Sequence, residues 1–416
     1  MTSLLGGLLA LAGVPLFIII ALLALLHYHW AEVDPTALFI SMYQIAQIPT
    51  LSAIPLFAFT GFLLAESQAA NRLVRLSQTL LGWLPGGLAI MAIFICALFT
   101  ALTGASGMTI VALGGLLYPA LIKNRFPDGF SLGLLTTSGS LGLLFPPSLP
   151  LIVFGIVSQT PVDQLFIAGI VPGLLLVGAL SLYSFAKGTR VSVQRAPLSW
   201  AAIVASLRES IWELLLPIVI LGGIYTGLIA VSEAAALSVL YILFVEVVVH
   251  REIKLRQLPG IVRDCMVLVG GIIIVLGAAM GYTNYLIDAE IPKQLLVFIQ
   301  QHIDSRLVFL LALNLFLLAV GCMIDMYSAL LVVVPLILPI AHAYEIHPVH
   351  LGIIFLTNLE IGYSTPPVGL NLFIASLRFD KPILKLYLAS LPFLGILLVA
   401  LALITYFPQL SLFLLD

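Results

Sequence analysis

Apolar stretches long enough to cross a lipid bilayer follow one another along most of this chain, and charged residues are concentrated in the short segments between them. Of the 416 residues, 62% are hydrophobic and 9% are charged, a composition far outside the range of soluble domains. The net charge of -2 and the scattered basic residues argue against nucleic-acid binding. The sequence therefore predicts an all-α polytopic membrane protein.

A helix needs about 20 apolar residues to cross the hydrocarbon core, and this length divides the chain into two kinds of region. Uninterrupted spans are predicted near 4–28, 49–66, 163–186, 210–230, 231–249, 264–287 and 384–407. Two further regions, 85–123 and 306–343, are long apolar runs with a glycine or polar interruption in the middle. Two others, 130–158 and 349–377, are each centred on a pair of prolines.

Basic residues indicate which ends of the spans face the cytoplasm. Two connections hold most of them, namely Lys187, Arg190, Arg195 and Arg208 in one and Arg251, Lys254, Arg256 and Arg263 in the other. Cytoplasmic connections are enriched in Lys and Arg, so both should be cytoplasmic. The other basic clusters fall on the same side only if 85–123 and 306–343 each enter and leave by one face. We therefore expect two re-entrant helical hairpins, the first open to the cytoplasm and the second to the outside.

The helix breaks recur at a constant spacing, which indicates an internal repeat. The offset that carries Pro146 onto Pro366 also carries Pro147 onto Pro367, and it aligns the interruptions of the two predicted hairpins. One extra span separates the halves, so equivalent elements should run in opposite directions. We predict a first inverted repeat over 1–190, a linker and connecting helix over 191–230, and a second repeat over 231–416. Inverted repeats are typical of secondary transporters that bind substrate at the repeat interface.

The paired prolines predict where that binding site lies. Proline lacks an N–H group and disfavours helix in the residue before it, so Pro146, Pro147, Pro366 and Pro367 are expected to break their helices inside the membrane. Unpaired backbone groups are tolerated at that depth only when protein buries them or a polar cavity exposes them. Half-helix N-termini and freed carbonyls at such breaks can hold an anion and a cation together.

Several long motifs resemble one known family. "LTGASGMTIVALGGLLYPALIK", "GLLFPPSLPLIVFG", "VGCMIDMYSALLVVVPLILPIA" and "NLEIGYSTPPVGLNLFIAS" resemble the large membrane subunit, DctM type, of the tripartite ATP-independent periplasmic (TRAP) transporters. The likeness covers nearly the whole chain. The chain departs from the family at the hairpin tips, where Ala105 replaces a frequent serine and Met326 and Tyr327 replace a frequent Pro-Thr.

This resemblance implies an elevator-type, sodium-coupled importer of a small organic acid in the bacterial inner membrane. Its implied partners are a small four-helix membrane subunit of the DctQ type and a periplasmic substrate-binding protein of the DctP type. Na⁺ is the one cofactor expected. Two alternatives stay open: a stand-alone elevator-type carboxylate/sodium symporter, and a membrane-embedded enzyme. The enzyme is disfavoured because the spans contain no recognisable catalytic motif.

Candidate ligands are the small polar residues and free carbonyls at the tips and breaks. We predict a sodium site from Asp325, Gly362, Ser364 and Thr365, and a symmetry-related site from Gly104, Ser106 and the carbonyls of Leu144 and Phe145. Hydroxyls and backbone oxygens suit an alkali cation. Predicted substrate contacts are Ser138, Ser148 and Asn371. Each serine or threonine could instead bond back to its own helix, and Asp325 could be a solvated tip. The role of Glu360 stays open.

Segments 67–82 and 289–305 carry paired basic and acidic residues among regularly spaced Leu and Val. This pattern predicts two amphipathic helices that lie in the membrane interface, one on each face.

Overall fold

A computed structural model describes residues 8–9, 12–190 and 199–415 of this chain, and the regular elements in these ranges are helices. Eight of the described helices are long and apolar enough to cross a membrane, or nine if one bent pair is counted as a single span. The prediction of an all-α polytopic membrane protein is confirmed. The first residues of the predicted span 4–28, and Arg195, lie outside the described residues.

The described part of the chain before the linker contains nine helices with defined bounds. They are α1 (Leu16–Trp30), α2 (Thr36–Ile45), α3 (Ala53–Glu66), α4 (Ala69–Leu81), α5 (Gly87–Thr103), α6 (Ser106–Lys123), α7 (Asp128–Ser138), α8 (Leu149–Ser158) and α9 (Val162–Arg190). Single 3-10 turns precede α3 at Pro49–Ser52 and follow α7 at Leu141–Leu144.

Eleven helices lie between residues 199 and 415. They are α10 (Trp200–Glu209), α11 (Ile211–Tyr225), α12 (Val231–Leu243), α13 (Leu258–Asp288), α14 (Ile291–His302), α15 (Arg306–Met323), α16 (Met326–Ala343), α17 (Pro348–Gly362), α18 (Leu370–Phe379), α19 (Ile383–Tyr406) and α20 (Gln409–Leu412). A π-helical turn at Phe244–Val249 extends α12.

Both predicted hairpins are helix pairs joined by very short tips. Two residues separate α5 from α6, and two separate α15 from α16. Gly104, at the first tip, has a φ of 67°, a left-handed conformation that favours glycine. The predicted breaks are also present. The 3-10 turn and the prolines at 146–147 separate α7 from α8, with a bend of 46°, and residues 363–369 separate α17 from α18.

The internal repeat is visible in the packing. Helices α6 and α16 begin and end at positions related by the same offset as the two proline pairs. Gly142 and Gly362, which this offset also relates, each lie against the first arm of a hairpin. A Cβ atom would come within 2.1 Å of the Ala97 carbonyl oxygen at Gly142, and within 2.6 Å of the Gly321 carbonyl carbon at Gly362. Each broken helix therefore contacts its hairpin backbone to backbone.

Two elements differ from the sequence-based expectation. Helix α2, ten residues long, was not predicted, because it is too short to cross a membrane. The span predicted at 210–230 ends as a helix at Tyr225, since the chain turns at Gly227, whose φ is 70°. Segments 67–82 and 289–305 do contain helices, α4 and α14.

A buried charge cluster joins α4 to α11 and to the segment that follows α12. The Arg72 side chain is 5% exposed, and its Nη2 atom lies 2.5 Å from Glu213 Oε1 and 3.0 Å from Glu246 Oε1. Arg72 also donates to Glu252, whose second carboxylate oxygen accepts the Gln68 amide at 2.8 Å. The guanidinium group of Arg72 therefore pairs with three carboxylates, which come from α11, the π-helical turn and the loop that follows it.

Candidate functional site

The tips of the two hairpins meet at a cavity of about 350 Å³. Residues 104–108 of the first hairpin and 325–327 of the second line it. The hydroxyl of Tyr327 donates to the Gly104 carbonyl oxygen at 3.1 Å and so joins the tips directly. Leu143 and Tyr363 contribute from the two breaks, and Phe62 of α3 and Leu268 of α13 complete the lining. The cavity is therefore shared by the hairpin tips, the two breaks and two further helices.

Four helices present their N-terminal residues to this cavity. The lining includes Ser106 of α6, Pro150 of α8, Met326 of α16 and Leu370 of α18, each within the first two residues of its helix. A helix N-terminus carries roughly half a positive charge and exposes free backbone N–H groups. Among the described residues that line the cavity there is no Lys or Arg. Positive potential in this lining is therefore supplied by backbone dipoles.

The second tip contributes Asp325, the acidic residue among the described residues of the lining. Its Oδ1 atom accepts the amides of Tyr327 and Ser328, both at 3.1 Å, and its Oδ2 atom accepts the Ser328 hydroxyl. Asp325 is therefore the N-cap of α16 and is exposed. The amide of Met326 donates to the Tyr363 hydroxyl at 2.5 Å, which connects this tip to the second break.

The first tip is joined to the opposite broken helix. The Ser106 hydroxyl donates to Asn371 Oδ1 at 2.8 Å, and Asn371 Nδ2 donates to the Thr136 carbonyl at 3.4 Å. Both side chains are buried. A predicted sodium ligand and a predicted substrate contact thus bond to each other, and the amide of Asn371 bridges α6, α7 and α18.

The remaining predicted residues fall into two groups. Ser138 and Ser364 are buried, and their hydroxyls have no hydrogen-bond partner among the described residues. In contrast, Thr365 bonds back to the Ile361 carbonyl at 2.8 Å, and Ser148 donates to the Leu143 carbonyl. Ser138 and Ser364 therefore have unused hydroxyl groups but do not line the cavity, whereas Thr365 and Ser148 follow the local hydrogen-bonding alternative.

The residues predicted to contribute backbone ligands lie against different parts of the protein. The Leu144 carbonyl oxygen lies against α9, 2.1 Å from where a Cβ of Gly169 would stand, and the Phe145 ring packs on Gly173. The structure therefore does not bring these two residues to the cavity beside Ser106. Gly362 lies against the second hairpin, and the four prolines lie in the two breaks. These ligand assignments remain predictions.

Of the fifteen residues that line the cavity, sequence reasoning assigned only Gly104, Ser106 and Asp325; the twelve that it did not assign include Phe62, Leu268, Tyr327 and Tyr363. Tyr327 had a local signal, because an aromatic hydroxyl at a hairpin tip within the membrane needs a partner. Phe62 and Leu268 had none, since apolar residues in apolar helices have no distinguishing pattern.

Comparisons with known proteins agree with this architecture. The sequence matches the family model "Tripartite ATP-independent periplasmic transporter, DctM component" over residues 4–410. It is 36% identical over 377 residues to the C4-dicarboxylate TRAP transporter large permease protein DctM of Pseudomonas aeruginosa, covering 90% of this chain and 88% of that protein. It is 35% identical to the sialic acid TRAP transporter large permease protein SiaM of Vibrio cholerae, covering 88% and 86%.

A solved structure supports the fold. The crystal structure of the Alcanivorax borkumensis YdaH transporter aligns with a TM-score of 0.64 over 90% of this chain and 87% of that chain, at 14% sequence identity. The family model matches nearly the whole length of the chain, two relatives are more than 30% identical, and the hairpins and broken helices agree with both findings. This chain therefore belongs to the DctM family of TRAP transporter large permease subunits.

Proposed function

We propose that this protein imports a small organic acid together with sodium, by an elevator mechanism, after a periplasmic binding protein delivers the substrate. As a DctM-family member it is a multi-pass protein of the inner membrane and a transport subunit rather than an enzyme. The substrate class, the coupling ion, the mechanism and the partners are inferences, and each is supported by a different observation.

The convergence of four helix N-termini on one cavity carries the proposal. A carboxylate there would accept backbone N–H groups and would be favoured by the dipoles without any basic side chain. A volume of about 350 Å³ suits a small organic molecule. The names of relatives support an organic acid: C4-dicarboxylates, sialic acid and ectoine carry a carboxylate, and isethionate carries a sulfonate.

A bound cation would complete the charge balance. Asp325 lines the cavity, and the hydroxyls of Ser364 and Ser138, which have no partner among the described residues, lie buried in the broken-helix segments. Oxygen ligands of this kind suit a hard monovalent cation. An organic anion and a sodium ion bound close together would favour each other's binding, which is the energetic basis of symport.

The position of the cavity supports the elevator proposal. Most of the lining comes from hairpin tips and broken helices, and Phe62 and Leu268 come from two other helices, α3 and α13. Such a division fits a transport core that carries its ligands past a fixed scaffold. Phe62 and Leu268 are apolar and offer the ligand no hydrogen bond, which favours sliding over a shared binding site.

Partners are inferred from the family. A relative in Oleidesulfovibrio alaskensis is named as the isethionate TRAP transporter permease protein DctMQ, and this chain aligns with 58% of it at 34% identity. That name supports a small DctQ-type subunit for this chain, and the family description supports a periplasmic partner of the DctP type.

Uptake into proteoliposomes tests the proposal. Vesicles containing both membrane subunits would be supplied with loaded binding proteins for a panel of organic acids, with or without an inward sodium gradient. We expect uptake only with the cognate binding protein and the gradient. Equal uptake of free substrate by this chain alone would favour the stand-alone symporter, and gradient-independent uptake would exclude sodium coupling.

A further inference from the structure

A second cavity, away from the hairpin tips, lies at the basic ends of α7, α9 and α19. Its volume is about 320 Å³, and its lining includes Phe130 of α7, Tyr183 and Lys187 of α9, and Lys385 and Phe393 of α19. The clusters of Lys and Arg at these helix ends place it on the cytoplasmic side. None of these residues takes part in the transport site described above.

Packed aromatic rings close the inner end of this cavity. The ring centroids of Phe130, Tyr183 and Phe393 are 5.2 to 5.8 Å apart in every pair, and Phe130 and Phe393 are buried, so these rings form a rigid floor under the cavity. The accessible apolar wall of the cavity belongs to α19, where Leu388 is 64% exposed and Pro392 is also exposed. Exposed apolar residues on a membrane-spanning helix favour a cavity that opens sideways to the bilayer.

The mouth of the cavity is cationic. Lys385 Nζ lies 2.5 Å from Asp128 Oδ2, and Tyr118 donates to the other oxygen of Asp128, so Asp128 neutralises Lys385 and each of its oxygens has a partner. Lys187 forms no ion pair among the described residues. Gly129, in the first turn of α7, also lines the cavity, and a Cβ atom there would meet nothing within 4 Å. The mouth thus combines an uncompensated ammonium group with open space at a helix N-terminus.

We propose that this cavity binds an anionic membrane phospholipid, with the phosphate headgroup at Lys187 and an acyl chain along the apolar wall at Leu388 and Pro392. The two halves of the cavity match the two halves of such a lipid. Basic pockets between membrane helices on the cytoplasmic side are suited to anionic headgroups, and aromatic side chains are favoured where apolar and polar regions meet. A free phosphate would use the ammonium group and leave the apolar wall empty, which is why the lipid is the favoured source.

Native mass spectrometry of the full chain tests the proposal. The protein would be titrated separately with phosphatidylglycerol, phosphatidylcholine and inorganic phosphate. We expect tight retention of phosphatidylglycerol, and Lys187→Gln should weaken it roughly tenfold, because the variant removes a direct hydrogen bond from a charged group to the phosphate, worth about 1.5 kcal/mol. Arg190→Gln is the matched control, since it removes a positive charge one turn further along α9, outside the lining, and should change retention little.

A second variant tests whether the space in the cavity, and not only its charge, is needed for lipid binding. Gly129→Leu would place a side chain in the cavity where the structure has room, and should reduce phosphatidylglycerol retention without altering net charge. Equal retention of phosphatidylglycerol and phosphatidylcholine, or equal effects of Lys187→Gln and Arg190→Gln, would overturn the proposal. So would inorganic phosphate binding that matches the lipid in affinity, because the site would then be a phosphate site.

Discussion

At the residue scale, the hairpin tips show that one side chain can have both a structural and a functional role. Asp325 caps α16 through two backbone amides and still lines the cavity. Capping uses part of the capacity of each carboxylate oxygen, and an oxygen atom can accept from an amide while also contacting a cation. The capping geometry therefore does not decide whether Asp325 binds sodium, and a substitution that keeps the cap is needed.

Asp325→Asn is that substitution, because asparagine is an equally good N-cap; it removes the charge and the second acceptor oxygen while keeping the oxygen that caps the helix. We expect the protein to insert and fold, and the half-saturating sodium concentration for uptake to rise roughly fivefold or more, in line with typical coupling energies of about 1 to 3 kcal/mol. Asp304→Asn, just before the outer end of the same hairpin, serves as control. An unchanged sodium curve in Asp325→Asn would leave this residue as a cap alone.

The bond between Ser106 and Asn371 can be tested by a double-mutant cycle. Ser106→Ala and Asn371→Ala should each lower thermal stability and uptake, because each leaves a buried polar group without its partner. The double variant should lose less than the two losses added together, with a coupling energy of roughly 0.5 to 3 kcal/mol. Strictly additive effects on the melting temperature would show that the two side chains act independently.

At the element scale, the sequence predicted what depends on local chemistry and missed what depends on packing. Glycine at a tip and proline pairs at a break act on their own backbone, so the hairpins and broken helices were located correctly. The partner of Ser106 lies 265 residues away in the sequence, and those of Arg72 lie up to 180 residues away, so no local pattern indicates them. Helix α2 was missed for another reason, since ten residues fall below the length of a span.

The contact between each broken helix and its hairpin predicts sensitivity to a single methyl group. Gly142→Ala and Gly362→Ala should each force backbone apart, at a cost of about 1 to 3 kcal/mol for overpacking, and should reduce uptake. Gly178→Ala is a matched control, since a Cβ atom there has open space. Melting temperatures in detergent measure the effect, and a Gly362→Ala protein as stable as Gly178→Ala would show that the two backbones are not in contact.

The buried cluster at Arg72 predicts a large difference between two nearby arginines. Arg72→Gln leaves Glu213 and Glu246 buried without their cation, and breaking a buried pair costs about 3 to 5 kcal/mol. Arg75, whose side chain is 59% exposed and lies 3.6 Å from Glu209, should tolerate the same change with a loss of about 1 kcal/mol or less. Thermal denaturation of both variants decides this, and similar melting temperatures would argue against a buried cluster.

At the scale of the whole molecule, the tips of the two hairpins touch at Gly104 and Tyr327, whereas their open ends lie at the far ends of α6 and α16. Two hairpins that meet tip to tip are expected to enter the membrane from opposite faces. The charge distribution in the sequence leads to the same expectation.

Cysteine labelling tests this topology. Lys123→Cys, at the open end of the first hairpin, should react only from the cytoplasm, and Glu345→Cys, just beyond the second, only from the periplasm. The native Cys96, Cys265 and Cys322 are buried, so background labelling should be low. Labelling of both positions from the periplasm would reject the arrangement of opposed hairpins.

One contact in the centre of the molecule has a consequence for how such a chain can diverge. The Ser140 hydroxyl donates to the Glu360 carbonyl oxygen at 3.2 Å, and these residues are equivalent positions of the two repeats. Residues that touch their own equivalents lie on the twofold pseudo-axis. In a symmetric dimer of identical subunits, both sides of that axis must carry the same amino acid. Joining the two copies in one chain removes that constraint. It allows a serine on one side and an acid on the other, and so lets the centre of the protein become chemically asymmetric while its backbone stays symmetric.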